Sequence, residues 1–238
     1  MKNTPIIPYI FCCLGLLLLS ACDKDPSKPG YQGKPPKPEY YRIKMNEELK
    51  SYLWSKPGSY WIYKNTKTGD LDTHIIRSFY FDSILVKGIY PYSKHRTIYY
   101  DIMTRSFYST FIKDYYYEYT RTFNPQATDL YITSNKIYRE GNGSINTPFV
   151  YPFVLGTGSG NGSSNTTYIG MDSTLTIQGK TYQNVAKFDI DKDDIWEEKL
   201  NCIRSNNIYY WAKDVGLIKK KSISCNYSWE LIEYNIIK

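Results

Sequence analysis

The chain has 238 residues, with 30 basic and 23 acidic side chains and a net charge of +7. That modest excess, spread along the sequence, is no nucleic-acid signature; it suits contact with anionic lipid or polysaccharide. Tyrosine is the outlier, at 26 residues, and its apolar ring with a polar tip fits either a β-sheet with half-wet faces or a ring-stacking surface for sugars.

Residues 1–21 read as a signal peptide. Lys2 supplies the charged start, and Ile6 to Leu19 form an apolar run shorter than the roughly 20 residues a membrane-spanning helix needs. The run closes on Leu19-Ser20-Ala21-Cys22, which at all four positions resembles the bacterial lipoprotein box. The resemblance implies cleavage before Cys22, which becomes the acylated N-terminus of an outer-membrane lipoprotein, palmitate being among the chains it carries. One acyl chain holds a protein marginally, at about 0.8 kcal/mol per buried methylene, whereas several hold it stably. Residues 22–44 follow as a tether. Pro26, Pro29, Pro35, Pro36 and Pro38 alternate with Lys, Gly and Ser, so the segment buries no core and tends to polyproline II, reaching ~60–70 Å at about 3.1 Å per residue.

Residues 45–238 are expected to form a single β-rich domain. Asn46 is placed to cap a short helix over Glu47–Leu53, with Leu49, Tyr52 and Leu53 on one face and Lys56-Pro57-Gly58 stopping it. Ser59–Asn65 and Leu71–Phe81 flank a Thr66–Asp70 turn, a hairpin signal. Residues 95–123 are one β-rich block, longer than an ordinary strand, so a fold-back is expected near Thr104–Ser106. Within it Tyr115, Tyr117 and Tyr119 share one face, opposite Tyr116 and Glu118. Asp129–Thr133 and Lys136–Arg139 read as two further strands. Gly156–Thr167, with glycine at 156, 158, 160 and 162, lacks the Lys-Ser or Lys-Thr that ends a phosphate-cradling loop, and reads as a surface loop.

The C-terminal third alternates cleanly. Leu175 and Ile177 lead into a Gln178-Gly179 turn, and Ala186, Phe188 and Ile190 oppose Lys187, Asp189 and Asp191. After an Asn206-Asn207 turn, Tyr209 and Trp211 oppose Ile208, Tyr210 and Ala212. Lys213-Asp214 turns into Val215–Ser224, and Trp229 and Leu231 oppose Ile232, Tyr234 and Ile236. The fold class is therefore all-β: a single antiparallel meander forming a strongly curved sheet or open barrel, with one short N-terminal helix.

Three stretches carry a further resemblance: Ile177-Gln178-Gly179-Lys180-Thr181-Tyr182-Gln183-Asn184-Val185, Tyr209-Tyr210-Trp211-Ala212-Lys213-Asp214-Val215-Gly216-Leu217-Ile218-Lys219, and Trp229-Glu230-Leu231. With Gly58-Ser59-Tyr60-Trp61-Ile62-Tyr63 as an opening strand, the series resembles uncharacterised β-rich lipoproteins of Bacteroidetes. It departs from their usual glycine before Val215, where Asp214 stands. The resemblance implies a curved sheet or open barrel and no activity.

Of five cysteines, Cys12 and Cys13 leave with the signal and Cys22 takes lipid. Cys202 and Cys225 remain as a pair suited to an oxidising compartment. With one strand between them they start about 10 Å apart, against a required Cα separation of about 4.4–6.8 Å. Both stand at strand ends, where backbone can bend, and a disulfide is expected.

No catalytic or cofactor motif is written in the chain. Asp189, Asp191 and Asp193 match the first, third and fifth positions of an EF-hand loop, but Asp194 stands where the sixth-position glycine belongs and Leu200 where the closing glutamate does. His74 and His95 are the only histidines, with no zinc spacing and no evident nucleophile. Neither a metal nor another cofactor is expected. Asp82-Ser83-Ile84 and Asp172-Ser173-Thr174 look like an O-glycosylation tripeptide of Bacteroidetes.

The leading functional expectation is a non-enzymatic envelope lipoprotein that binds a partner protein or a glycan through Tyr115, Tyr117, Tyr119, Tyr209 and Trp211. No nucleic-acid partner is expected, and the sequence leaves the oligomeric state open. Two alternatives differ in what they require. A half-barrel carrier of lipid needs a hollow apolar concave face. A cell-surface hydrolase needs converging carboxylates or a histidine–nucleophile contact.

Overall fold

The computed structural model describes residues 39–87, 96–124, 127–134, 146–151, 153–156, 158–160, 165–191 and 206–238. The folded unit runs from Tyr40 to Lys238, and the expected signal and lipidation segment lies outside the described residues. The elements in chain order are β1 (Glu39–Ile43), α1 (Glu47–Leu53), β2 (Tyr60–Asn65), β3 (Leu71–Lys87), β4 (Arg96–Ser109), β5 (Asp114–Asn124), β6 (Ala127–Ser134), β7 (Asn146–Tyr151), β8 (Gly158–Gly160), β9 (Asn165–Ile177), β10 (Lys180–Ile190), β11 (Asn207–Ala212), β12 (Gly216–Ser222) and β13 (Tyr227–Asn235).

The strands form one sheet in the order β7-β6-β5-β4-β3-β2-β13-β12-β11-β10-β9-β8, with β1 added on β4. The ladders from β2 to β13 are antiparallel, as the alternating pattern and short turns predict. β13 pairs with β2, Trp229 opposite Asn65 and Tyr234 opposite Trp61. The strand that follows α1 and the last strand thus meet in mid-sheet, and the open seam falls between β7 and β8. The sheet curves enough to bring β7 close to β9, and the ring of Phe153, just after β7, stacks on Tyr168 of β9 at 5.4 Å.

α1 lies on the concave side. Asn46 caps it as predicted: its Oδ1 accepts the Glu48 amide at 2.7 Å, and Leu49, Tyr52 and Leu53 are buried. Seven residues are too few to hold a helix in water, so tertiary contacts hold it. Its apolar face packs with Met45, Met103, Phe188, Tyr209 and Trp211, each such side chain worth about 1.5–3 kcal/mol on burial. Its C-terminal end meets Arg105 of β4, whose Nη1 donates to Leu53 O at 2.5 Å and to Ser55 Oγ at 2.7 Å. A second group of buried rings, among them Trp61, Tyr63, Phe107, Tyr116 and Trp229, continues along the same interior. Trp61 and Tyr63 reach past β13 and donate to the carbonyls of Val215 and Leu217 at 2.7 and 2.9 Å.

Three expectations change. β4 runs unbroken through Thr104–Ser106 and turns at 110–113 instead, because Asp72 gathers the Ser109 hydroxyl and the Phe111 amide there and Lys113 takes a positive φ of 62°. Part of Gly156–Thr167 is strand: β8 pairs with Asn165–Thr167 of β9, since glycine backbones still offer ladder groups at a sheet edge. Glu39–Ile43, read as tether, is β1, where Arg42 pairs with the buried Asp101 at 3.0 Å. Asp214, standing where the resembling series has glycine, takes a φ of 63°; aspartate tolerates this left-handed conformation better than most residues. Cys225 is disulfide-bonded; Cys202 and the expected strand Lys136–Arg139 lie outside the described residues.

Candidate functional site

The inner and outer faces of β3–β5 hold opposite chemistries. Inward, the strands carry the charge. Asp72 Oδ2 meets His74 Nε2 at 2.9 Å, the Ser109 hydroxyl donates to both Asp72 oxygens at 2.9 and 3.0 Å, and Phe111 N donates to Oδ1 at 3.0 Å. The His74 ring lies against Tyr63 and stacks on Phe107. Next to this network the Arg105 guanidinium pairs with Glu118, both buried, and stands over the Trp61 ring. Burial alone would raise the Asp72 carboxyl. The His74 ring, the Phe111 amide and the Ser109 hydroxyl outweigh that and hold it below the usual carboxylate range. Burial raises the Tyr63 phenol well above its usual value, helped by the Asp72 and Glu118 charges and only partly opposed by the Arg105 guanidinium.

This network is built for holding strands together. A hydrolytic triad needs its serine on the imidazole, with the carboxylate behind the ring. Here the serine sits on the carboxylate, and Asp72, His74 and Ser109 are all buried. His95 lies outside the described residues.

Outward, the same strands present tyrosine. Tyr80 is 54% exposed, and Tyr115 and Tyr117 are 43% and 38% exposed, the latter two as their alternation against buried Tyr116 and Glu118 predicts. Tyr108 lies beside Tyr115, ring centroids 5.1 Å apart. Between them are hydroxyls: Ser78 and Ser106 share a hydrogen bond at 2.6 Å, and the Tyr80 phenol donates to Asp82 at 2.5 Å. Tyr119 lies in register opposite Tyr131 of β6.

Tyr209 and Trp211 do not join this face. They are 5% and 2% exposed and belong to the core around α1, because their side of β11 is the concave side on which the helix lies. The expected ring set therefore divides, and Tyr80 and Tyr108, which the reading of the sequence passed over, take their place. Their signal was available in the spacing of β3 and β4 once the true turn at 110–113 was known.

Asp189 is the penultimate residue of β10, just before Ile190. Burial, then the neighbouring Asp191, raises its carboxyl. Asp193 and Asp194 lie outside the described residues, and among those described no group of three His, Cys, Asp or Glu converges to hold a metal ion. In the two tripeptides, Ser83 donates its hydroxyl to Asp101 at 2.9 Å, while Ser173 is exposed on β9. Among the described residues no helix is long and apolar enough to cross a membrane.

No protein-family model and no curated protein matches the chain. Among solved structures the chain is similar to a crystal structure named as a "putative lipoprotein" from Parabacteroides distasonis, at 9% identity and a TM-score of 0.33, over 77% of this chain and 98% of that one. A likeness of that size decides neither fold nor function.

Proposed function

We propose that the protein is a lipid-anchored lipoprotein of the cell envelope, held at the outer membrane through Cys22, whose β module has a non-enzymatic binding role. The observation that carries the reading is Leu19-Ser20-Ala21-Cys22 closing an apolar run and followed by a Pro-rich leash. The module's chemistry supports a binding role over the alternatives: the histidine and serine of β3 and β4 are locked in a buried network, and α1 with its surrounding rings occupies the concave face a lipid carrier would keep hollow. The outer tyrosine face remains as the surface on offer.

Membrane fractionation of the wild type and Cys22→Ser, with metabolic palmitate labelling, tests the anchor. The wild type is expected in the membrane fraction with label, and the variant soluble without it. A variant that still partitions with membranes would overturn the reading.

A further inference from the structure

Strand register lays out the outer face of β3–β5 row by row. Ile75, Tyr108 and Tyr115 form one row. Ser78, the buried Ser106 and Tyr117 form the next, and Tyr80 and Thr104 stand in the third. None of these positions carries a formal charge. Charge returns in the following row, at the exposed Asp82, and at the exposed bulge residue Arg77 beside the first two rows.

That departs from the ordinary arrangement, although the inner face also carries the apolar Ile76, Met103 and Phe107. A solvent-facing sheet surface usually carries the charges that keep it soluble and unpaired, while the buried face is apolar. Here Asp72, Arg105 and Glu118 are spent inside the sheet, and an uncharged tyrosine field is left outside on a chain whose net charge is +7. The exposed large side chains on it are Tyr80, Tyr115 and Tyr117, with Ser78 exposed beside them and no exposed Leu, Phe, Trp or Met in these rows among the described residues. A protein hot spot is anchored by a large side chain in a desolvated pocket, and a flat pleat of phenols offers none. It offers ring faces beside the exposed Ser78 and half-buried Thr104 hydroxyls and its own phenol ends. That combination suits a ligand with apolar C–H faces, many hydroxyls and no charge.

We infer that the tyrosine field over β3–β5 is a binding face for neutral polysaccharide. This rests on the binding role proposed above and names its ligand class. The test is native electrophoresis of the full chain in gels containing laminarin, mannan or dextran, with alginate as the anionic comparison. At least one neutral polymer is expected to retard the wild type. Tyr115→Ala/Tyr117→Ala is expected to weaken that retardation at least tenfold, while Tyr115→Phe/Tyr117→Phe keeps it, since the ring faces remain. Thermal denaturation of each variant checks that the fold is unchanged. Retardation by none of the three neutral polymers overturns the inference, as does retardation indifferent to the alanine pair. Retardation by alginate alone, abolished in Arg77→Ala, overturns it in favour of charge. Tyrosine-dependent self-association without retardation overturns it in favour of a protein occupant. Cys22→Ser is expected to change membrane partitioning and leave retardation untouched, so the anchor and the ligand class fail separately.

Discussion

Asp72 and Arg105 are the two residues on which the inner face of β3–β5 depends. Each leaves a buried charge behind if its partner goes, a loss typically of about 3–5 kcal/mol. Arg105→Met is expected to destabilise by roughly that amount, because Glu118 stays buried and Leu53 O loses its donor. Adding Glu118→Leu should recover a large part, since a pair of apolar side chains can replace a buried ion pair at little cost. Urea unfolding of the single and double variants measures both. Asp72 sets a pH dependence. Its carboxyl is held below the usual carboxylate range in the fold, so its contribution is present above the unfolded-state value and is lost as pH falls through the folded one. Asp101 behaves in the same sense, burial being outweighed by the Met45 amide, Ser83 and Arg42. Wild-type stability is therefore expected to fall on acidification below about pH 4, and Asp72→Asn should be less stable at neutral pH with a flatter acid limb.

At the level of elements, caps and turns decide the geometry. Asn46→Ala removes the acceptor for the Glu48 amide and should cost about 1 kcal/mol. Asp214 holds the β11–β12 turn with a φ of 63° and its amide donates to Ser51 O of α1 at 2.8 Å. Asp214→Gly is expected to fold at least as stably as the wild type, whereas the β-branched Asp214→Val should lose about 1–2 kcal/mol, the usual cost of a left-handed conformation; denaturant midpoints compare the two. These elements were legible because their chemistry is local: Asn46 before two glutamates, Gln178-Gly179 between alternating runs. The break in the 95–123 block was not. It is fixed by Asp72, far along the chain from Ser109 and Phe111, and strands of 14 and 17 residues exceed the lengths that make a fold-back seem necessary. The parity of Tyr115 and Tyr117 was legible from alternation. Which parity faces the interior was not, so Tyr209 and Trp211 looked like Tyr115 until α1 was seen to cover them.

On the scale of the molecule, the consequence of the sheet order is that β13 is a central strand. It lies between β2 and β12 and carries Trp229 and Leu231 of the core. Truncation after Asn226 is expected to abolish cooperative unfolding altogether, where loss of an edge strand would only lower the midpoint; circular dichroism during a thermal ramp separates the two outcomes. The β2–β13 ladder joins residues more than 160 positions apart, as in Thr66 and Ser228, and such non-local pairing is slow to form because loop closure comes first.

A polypeptide threaded through a narrow pore, leading end foremost, has to stay unravelled until it is across. In this chain β2 emerges early and waits for a neighbour that arrives only when residues 227–235 follow. The half-made sheet before that moment lacks its middle, so on the export route proposed above the architecture itself would postpone commitment until the last strand arrives.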